Sequence, residues 1–247
     1  MRSKINGKVT LVTVSVLILF PFVNNLSGAV AAPPDQGQRA TFDKNQFSVD
    51  IASSPWVVVN KRRPLNPITY SPANLVIPRF DDAAGLNPQA AQLAKPAGKA
   101  IKRMATAMYQ AGAGKLLLSS GYRSYKTQVA VHSTDVAKYG LTVGENLAAR
   151  PGYSEHQTGL AADLAAVGQP CRIYECFSTT KAGKWLAANS WRYGWVLRYP
   201  RGASSITGYQ FEPWHFRYVG VDLAADMHAA GFITLERYFH LDDAPSY

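Results

Sequence analysis

The stretch Arg150-Pro-Gly-Tyr-Ser-Glu-His-Gln-Thr-Gly-Leu-Ala-Ala-Asp163 joins a polar loop to a short apolar segment. The run from Leu160 to Ala165 predicts a short strand of the hydrophobic core, and Asp163 lies inside it. Burying a carboxylate in such a strand is unfavourable unless a cation meets it. A metal ion would do so, and His156 lies on the loop just before the strand. The alternative is an Asp that caps a turn and a His in a surface loop.

A second stretch, Tyr209-Gln-Phe-Glu-Pro-Trp-His-Phe-Arg-Tyr218, is rich in aromatic residues and predicts another strand. Glu212 and His215 are three residues apart, so they would face opposite sides of a regular strand. Pro213 between them cannot donate a hydrogen bond to a neighbouring strand, so we expect a bulge or a sheet edge there. Such a kink would allow the two side chains to converge on one point.

Together the two stretches supply two nitrogen ligands and one oxygen ligand, from His156, His215 and Asp163. This set suits zinc (Zn²⁺) with an open fourth position, as catalytic zinc requires. Glu212 would then be a spare carboxylate beside the metal, placed to act as a general base on an attacking water molecule.

The pattern Ser154-x-His156-x-x-Gly159-x-Ala161-x-Asp163, followed by Glu212-Pro-Trp-His215, resembles the VanY-type D-alanyl-D-alanine carboxypeptidases, zinc peptidases of bacterial cell-wall peptides. Further blocks similar to that family are Ser120-Gly-Tyr-Arg-Ser-Tyr125 with Gln128, and Tyr193-Gly-Trp-Val-Leu-Arg-Tyr-Pro200. The resemblance covers roughly residues 56 to 240, and the motifs occur in the family's order.

The resemblance implies a role for each matched residue. It assigns His156, Asp163 and His215 as zinc ligands and Glu212 as the catalytic base. By the same resemblance, Arg123 binds the substrate carboxylate and stabilises the developing oxyanion. The family pattern also implies that three further residues line the substrate pocket: Gln128, Ser154 and Tyr199. A surface arginine, a surface glutamine, a turn serine and a core tyrosine are the ordinary alternatives.

Other residues near the motifs are expected to have ordinary roles. Glu155 is expected to face solvent, and Trp214 to pack against the core and hold Glu212 and His215 in place. The remaining histidines lie on predicted helices without partners at ligand spacing, so we interpret them as surface or packing residues; they are His132, His228 and His240.

The first 31 residues are typical of an export signal. Arg2, Lys4 and Lys8 form a positive segment, residues 9–23 an apolar core, and Ala29-Val-Ala31 a cleavage site of small residues. An uncleaved membrane anchor is the alternative. Residues 32–54 contain Pro33-Pro34 and little apolar content, which predicts a flexible linker. A single peptidase domain is expected over residues 55–247.

The charge of the chain limits its partners. The formal net charge is +10, and removal of the three basic residues of the signal would leave +7. This charge favours an anionic surface such as a cell wall. The basic residues are scattered, so nucleic acid is not an expected partner. No stable protein partner is implied, and we expect a monomer that is secreted, associated with the cell wall, or anchored in the membrane if the signal is retained.

Cys171 and Cys176 are the only cysteines. In an exported protein a disulfide between them is the first expectation. A second metal site is the alternative, but it would need more ligands than two cysteines provide.

The predicted elements indicate an α+β fold. Helices are expected over residues 96–110, from Ser124 to Tyr139, from a capping box at Thr142 to Ala149, and at about 179–190, 221–230 and 235–240. Strands are expected at 55–60, 115–120 and 160–165, with 195–199 and 209–218 paired together. Helices and a mainly antiparallel sheet that do not alternate regularly define this class. The resemblance implies the D-Ala-D-Ala metallopeptidase (hedgehog/DD-peptidase-like) fold.

The leading functional hypothesis is a secreted zinc D,D-carboxypeptidase, a hydrolase that removes the terminal D-Ala from peptidoglycan stem peptides. The enzyme alternatives are an L,D-carboxypeptidase, a D,D-dipeptidase or a cell-wall endopeptidase of the same fold. A non-catalytic cell-wall binding module is a further alternative. Such a module would be expected to lose Glu212 or a metal ligand, and this sequence has all four.

Overall fold

A four-stranded antiparallel sheet carries both motif stretches, and a two-stranded sheet lies beside its first helix. The computed structural model describes residues 42–80 and 88–247, which belong to one unit, Thr41–Tyr247. Its strands are β1 (Leu75–Val76), β2 (Leu93–Ala94), β3 (Leu116–Ser120), β4 (Ala161–Ala166), β5 (Trp195–Leu197) and β6 (His215–Tyr218). Its helices are α1 (Lys95–Gln110), α2 (Tyr125–Tyr139), α3 (Leu141–Leu147), α4 (Lys181–Asn189), α5 (Ser204–Thr207), α6 (Val221–Ala229) and α7 (Leu235–Tyr238). Antiparallel sheets flanked by helices confirm the predicted α+β class.

Strand β4 lies in the middle of the larger sheet, whose order is β3-β4-β6-β5. All six of its residues are buried, which the sequence Ala-Ala-Asp-Leu-Ala-Ala permits because four of the side chains are methyl groups. The main core joins this strand to the buried face of α1, where Ile101, Met104 and Met108 are fully buried. Burial of one such side chain stabilises the fold by about 1.5–3 kcal/mol.

Most of the predicted elements are present, with ends within about two residues of those predicted. Helix α1 has Pro96 in its first turn, and Ser124 caps α2 by accepting a hydrogen bond from the Thr127 amide. Helix α3 begins one residue before Thr142 and has no side-chain cap, so the predicted capping box there is wrong. The backbone of Gly140, between α2 and α3, makes this tight connection at φ +80°.

Two predicted strands differ in the structure. Residues 55–60 pair with no other strand and form only an isolated bridge between Asn60 and Arg63, although Val57, Val58 and Val59 are buried in core clusters. Of the strand predicted over residues 209–218, only residues 215–218 form a strand, which is β6. It pairs with β5 as expected.

The predicted export signal, residues 1–31, lies outside the described residues, as does the first part of the predicted linker. Within that linker, residues 42–54 contact the domain: the rings of Phe42 and Phe47 lie 5.6 and 5.0 Å from that of Trp56. The packed unit thus begins before the predicted boundary at residue 55. Among the described helices, none combines the length and apolar character needed to cross a membrane.

Cys171 and Cys176 form a disulfide with a Cα–Cα distance of 5.4 Å, which confirms that prediction. The bridge closes a short loop after β4, and this loop includes Ile173 and Tyr174.

Candidate metal centre and active site

The three predicted metal ligands converge on one point. Asp163 on β4 and His215 on β6 are directly opposed in the antiparallel register, with 3.2 Å between Asp163 Oδ1 and His215 Nδ1. His156 lies on a short 3₁₀ helix, Glu155–Thr158, that precedes β4, and its Nε2 is 3.3 Å from Asp163 Oδ2. One ligand atom from each residue lies within 4.8 Å of the others.

The backbone before β4 explains how His156 reaches this point. Gly159 ends the 3₁₀ helix in the left-handed conformation at φ +69°, which favours glycine and turns the chain into the strand. A Cβ there would lie 3.0 Å from the Ala94 amide nitrogen. The glycine of the sequence motif is therefore required both by conformation and by space.

The residues present fit a zinc ion. His156 Nδ1 lies 2.7 Å from the Gly121 carbonyl oxygen, and His215 Nε2 lies 3.4 Å from Glu155 Oε2. Each histidine thus has an acceptor at one ring nitrogen and directs the other to the common point, an arrangement typical of metal-binding histidines. Asp163 Oδ1 is buried without a hydrogen bond from any described group. A buried acceptor without a donor, between two imidazole nitrogens, is a ligand set that zinc satisfies.

The electrostatic environment favours a positive charge at this point. Burial alone would lower the pKa of His215, but Asp163 and Glu155 raise it to about 9. Burial alone would raise the pKa of Asp163, but the two histidines hold it well below its usual range. Burial lowers the pKa of His156, which favours the neutral imidazole that a metal ligand must present.

Glu212 lies beside the ligands, but a turn and not the predicted strand bulge brings it there. A turn at Pro213-Trp214 places it before β6, and the Glu212 carbonyl accepts a hydrogen bond of 3.1 Å from the His215 amide. Its Oε2 is 3.6 Å from His215 Nδ1. Burial, with the neighbouring charge of Asp163, raises the pKa of Glu212 to about 7. A carboxyl group with this pKa can both accept and release a proton near neutral pH.

Arg123 follows β3 and is held in a fixed position. Its Nη1 donates to Gln128 Oε1 at 3.1 Å, its Nη2 donates to Ser120 Oγ at 3.2 Å, and its amide donates to the His156 carbonyl at 3.2 Å. Gly121 makes this close turn possible, because a Cβ there would lie 2.3 Å from the Gln92 carbonyl oxygen.

A cavity of about 590 Å³ is lined by most of the predicted site residues. The predicted residues that line it are Arg123, Ser154, His156, Asp163, Tyr199, Glu212 and His215. The ring of Tyr199 lies 4.7 Å from that of His215, so this residue covers one side of the candidate metal centre. Leu147, Ile173 and Tyr174 add an apolar contribution to the lining.

Gln128 does not line the cavity as predicted. It is fully buried on α2, where it accepts from Arg123 and donates to the Ala149 carbonyl at 2.7 Å. Gln128, one helical turn into α2, therefore fixes the Arg123 guanidinium by a hydrogen bond outside the cavity.

The prediction that Glu155 faces solvent is wrong. Its carboxylate is fully buried and accepts hydrogen bonds from Arg198 and Arg217. Burial alone would raise the pKa of Glu155, but these guanidinium groups hold it well below its usual value. The sequence contained a signal for this pairing, since both arginines lie inside predicted strands and a buried cation needs a buried acid.

The remaining histidines lie outside the site. His132 Nε2 is 3.8 Å from Glu145, and the ring of His228 stacks on that of Trp191 at 4.1 Å. His240 follows α7 with φ 55°. Trp214 belongs to the main core, as expected.

Comparisons with known proteins identify the family of this chain. The family model of VanY, D-alanyl-D-alanine carboxypeptidase, matches residues 90–221. The putative carboxypeptidase YodJ of Bacillus subtilis is 39% identical over 182 residues, which cover 74% of this chain and 66% of YodJ. The chain spans 43% and 48% of the length of two enterococcal D-alanyl-D-alanine carboxypeptidases that it matches.

Two solved structures share the fold. The LdcB LD-carboxypeptidase is 36% identical with a TM-score of 0.72, over 78% of this chain and 88% of that chain. VanY from a VanB-type resistance cassette, solved in complex with Zn(II), is 28% identical with a TM-score of 0.60, over 74% of this chain and 97% of that chain. These matches confirm the predicted D-Ala-D-Ala metallopeptidase fold. This chain belongs to the VanY family of D-alanyl-D-alanine carboxypeptidases.

Proposed function

We propose that this protein is an extracytoplasmic zinc D,D-carboxypeptidase that removes the terminal D-Ala from peptidoglycan stem peptides. One observation carries the proposal: His156, Asp163 and His215 converge within 4.8 Å in a cavity that also contains Glu212 and Arg123. The family name supplies the substrate class. The disulfide and the sequence of residues 1–31 support export, since disulfides persist in oxidising compartments.

The chemistry follows from what each residue can hold or move. Zinc bound by the three ligands would polarise the scissile carbonyl and make a water molecule a stronger nucleophile near neutral pH. Glu212, a buried carboxylate beside the three ligands, accepts the proton of the attacking water and then delivers it to the leaving amine. The new C–O bond forms first and leaves an oxyanion on the carbonyl oxygen; the C–N bond then breaks as its nitrogen is protonated, and free D-Ala leaves.

Arg123 binds the charged part of the substrate. Its guanidinium group lines the cavity and is held by Ser120 and Gln128, so its position is fixed before substrate arrives. A fixed guanidinium can pair with the C-terminal carboxylate or with the oxyanion that develops on the scissile carbonyl. Such a group selects substrates with a free carboxyl terminus.

An L,D-carboxypeptidase is the second candidate. The observation that favours it is the similarity to the LdcB LD-carboxypeptidase, which exceeds that to VanY in both identity and TM-score. The two activities differ in the residue that precedes the scissile bond, and both would use the same metal centre, base and arginine.

One experiment separates these candidates. The zinc-loaded protein is incubated with a pentapeptide ending in D-Ala-D-Ala and with the tetrapeptide that remains after one D-Ala is removed, and released D-Ala is measured. We expect release from the pentapeptide that stops on addition of a chelator and returns with zinc. Release from the tetrapeptide alone would assign L,D activity, and no release from either peptide would refute both.

A further inference from the structure

Behind the candidate metal centre lies a buried charge cluster of four residues: Glu155, Arg198, Arg217 and Glu236. Their side chains are completely buried. Glu155 precedes β4, Arg198 follows β5, Arg217 is in β6 and Glu236 is in α7, so the cluster connects elements that are distant in sequence. Two acids and two arginines balance, which permits burial of all four charges.

Glu155 uses its two carboxylate oxygens differently. Oε1 accepts from Arg198 Nε at 2.8 Å and from Arg217 Nη1 at 3.0 Å. Oε2 lies 3.4 Å from His215 Nε2. One oxygen is thus fixed by two guanidinium groups, while the other faces the histidine that presents Nδ1 to Asp163.

The arginines that hold Glu155 are themselves held. Arg198 donates to both oxygens of Glu236, at 2.9 and 2.6 Å. Arg217 donates to the Tyr218 carbonyl at 3.0 Å and to the Pro55 carbonyl at 3.1 Å. Because each group in this chain of contacts is anchored by another element, the Glu155 carboxylate has little freedom to turn away from His215.

A histidine can offer a lone pair at one nitrogen only if its proton is on the other. We propose that Glu155 is a positioning residue for the metal centre: as acceptor, it keeps the His215 proton on Nε2 and leaves Nδ1 free to bind zinc. This inference rests on the proposed zinc site. It assigns a function to a residue whose place in the sequence motif had suggested a solvent-facing side chain.

Replacement of Glu155 by glutamine tests the proposal. An amide has one acceptor oxygen. In the variant this oxygen takes the place of Oε1, because Arg198 and Arg217 both donate there. The amide NH₂ is then left facing His215 Nε2, where it favours the tautomer with the proton on Nδ1. That tautomer cannot bind zinc through Nδ1.

Glu236→Gln is the matched control. It also replaces a buried carboxylate that accepts from Arg198, but its other side-chain hydrogen bond is with Asn60, and none of those described joins it to His215. Both variants should therefore lower the thermal stability of the zinc-free protein. In competition with a chelator, we expect the zinc affinity of Glu155→Gln to fall by roughly 10–100-fold and that of Glu236→Gln to stay within about 3-fold of wild type.

Equal zinc affinities for wild type and Glu155→Gln, or an equal loss in both variants, would overturn the proposal. If Glu155→Gln does not fold, nitrogen NMR of the zinc-loaded wild type decides, because it identifies the protonated nitrogen of His215. A proton on Nε2 supports the proposal, and one on Nδ1 refutes it. Zinc binding by the wild type is measured first. If the wild type binds no zinc, the proposed function is refuted, and the variants are not compared.

Discussion

Asp163 and His215 face each other across neighbouring strands, with 3.2 Å between Asp163 Oδ1 and His215 Nδ1. Their spacing is set by the hydrogen-bonded register of β4 and β6, in which Asp163 also pairs with Ser120 on β3. Two of the three candidate ligands are therefore on strands of the sheet, and only His156 lies outside it, on the short 3₁₀ helix Glu155–Thr158. A site built on strands keeps its geometry better than one built on loops.

Removal of Asp163 should abolish tight zinc binding. Asp163→Asn nearly preserves the shape of the side chain but replaces an anionic ligand by a neutral one. We expect the purified variant to bind zinc at least about 10-fold more weakly than wild type, measured by metal analysis after dialysis against a chelator. Asp222→Asn, which changes an exposed carboxylate on α6, is the control and should keep its zinc. Wild-type zinc content in Asp163→Asn would contradict the ligand assignment.

Zinc should stabilise the folded protein. An ion that binds only the folded state at 100 times its Kd adds about 2.7 kcal/mol to the free energy of unfolding. For a domain of this size, that corresponds to a Tm increase of roughly 5–11 °C. Thermal unfolding with chelator, and again after zinc is restored, measures the effect. The increase should be clearly smaller in Asp163→Asn, and a Tm that does not respond to zinc in wild type would count against a resident ion.

Glu212→Gln should separate chemistry from metal binding. The amide cannot accept a proton, so turnover should fall by roughly 10²–10⁴-fold. Glu212 comes from a turn outside β6 and is not one of the three converging ligands, so zinc content should match wild type. D-Ala release and metal analysis are made on the same preparation. Near-normal turnover, or loss of zinc, would show that Glu212 is not the base.

Much of this site could be predicted because its residues are close in sequence. His156 and Asp163 lie seven positions apart, on the 3₁₀ helix and on the strand that follows it, and Glu212 and His215 lie within one turn. A carboxylate inside an apolar strand was the decisive signal, since it requires a cation. The disulfide was predictable because the sequence contains only two cysteines and its first residues are typical of an export signal.

The parts that sequence did not predict depend on partners far along the chain. Glu155 lies in a polar loop, and its burial depends on Arg198 and Arg217, which are 43 and 62 residues away. Gln128 was expected in the pocket, but it donates a hydrogen bond to the Ala149 carbonyl, which places its side chain outside the cavity. Residues 55–60 have the β-branched composition of a strand but meet no strand in the described structure, apart from the bridge to Arg63.

Arg123 should act in substrate binding through its forked geometry. Arg123→Lys keeps the charge but cannot make paired contacts with a carboxylate, so kcat/KM should fall by at least about 10-fold while zinc is retained. Gln128→Leu is a second test, because it removes one acceptor that holds the guanidinium without changing the cavity lining. We expect a smaller decrease of the same kind. Equal kcat/KM in wild type and Arg123→Lys would exclude the proposed role.

The disulfide loop should affect both stability and substrate binding. In the chain-entropy description, a bridge that closes a loop this short stabilises the folded state by about 2 kcal/mol. The loop also places Ile173 and Tyr174 in the cavity lining, although Tyr174 is 70% exposed. A Cys171→Ser, Cys176→Ser double variant should therefore unfold at a lower denaturant concentration and show a higher KM for the pentapeptide, with little change in zinc content.

Tyr174→Ala distinguishes the two effects, because it removes the exposed ring and keeps the bridge. We expect its KM to rise as in the double variant while its denaturation midpoint stays near that of wild type, since an exposed side chain contributes little to the core. Steady-state kinetics and urea unfolding on the three proteins provide the comparison. If Tyr174→Ala leaves KM unchanged and the double variant raises it, the bridge acts through the backbone of the loop and not through the aromatic ring. If neither changes KM, the loop has no part in substrate binding.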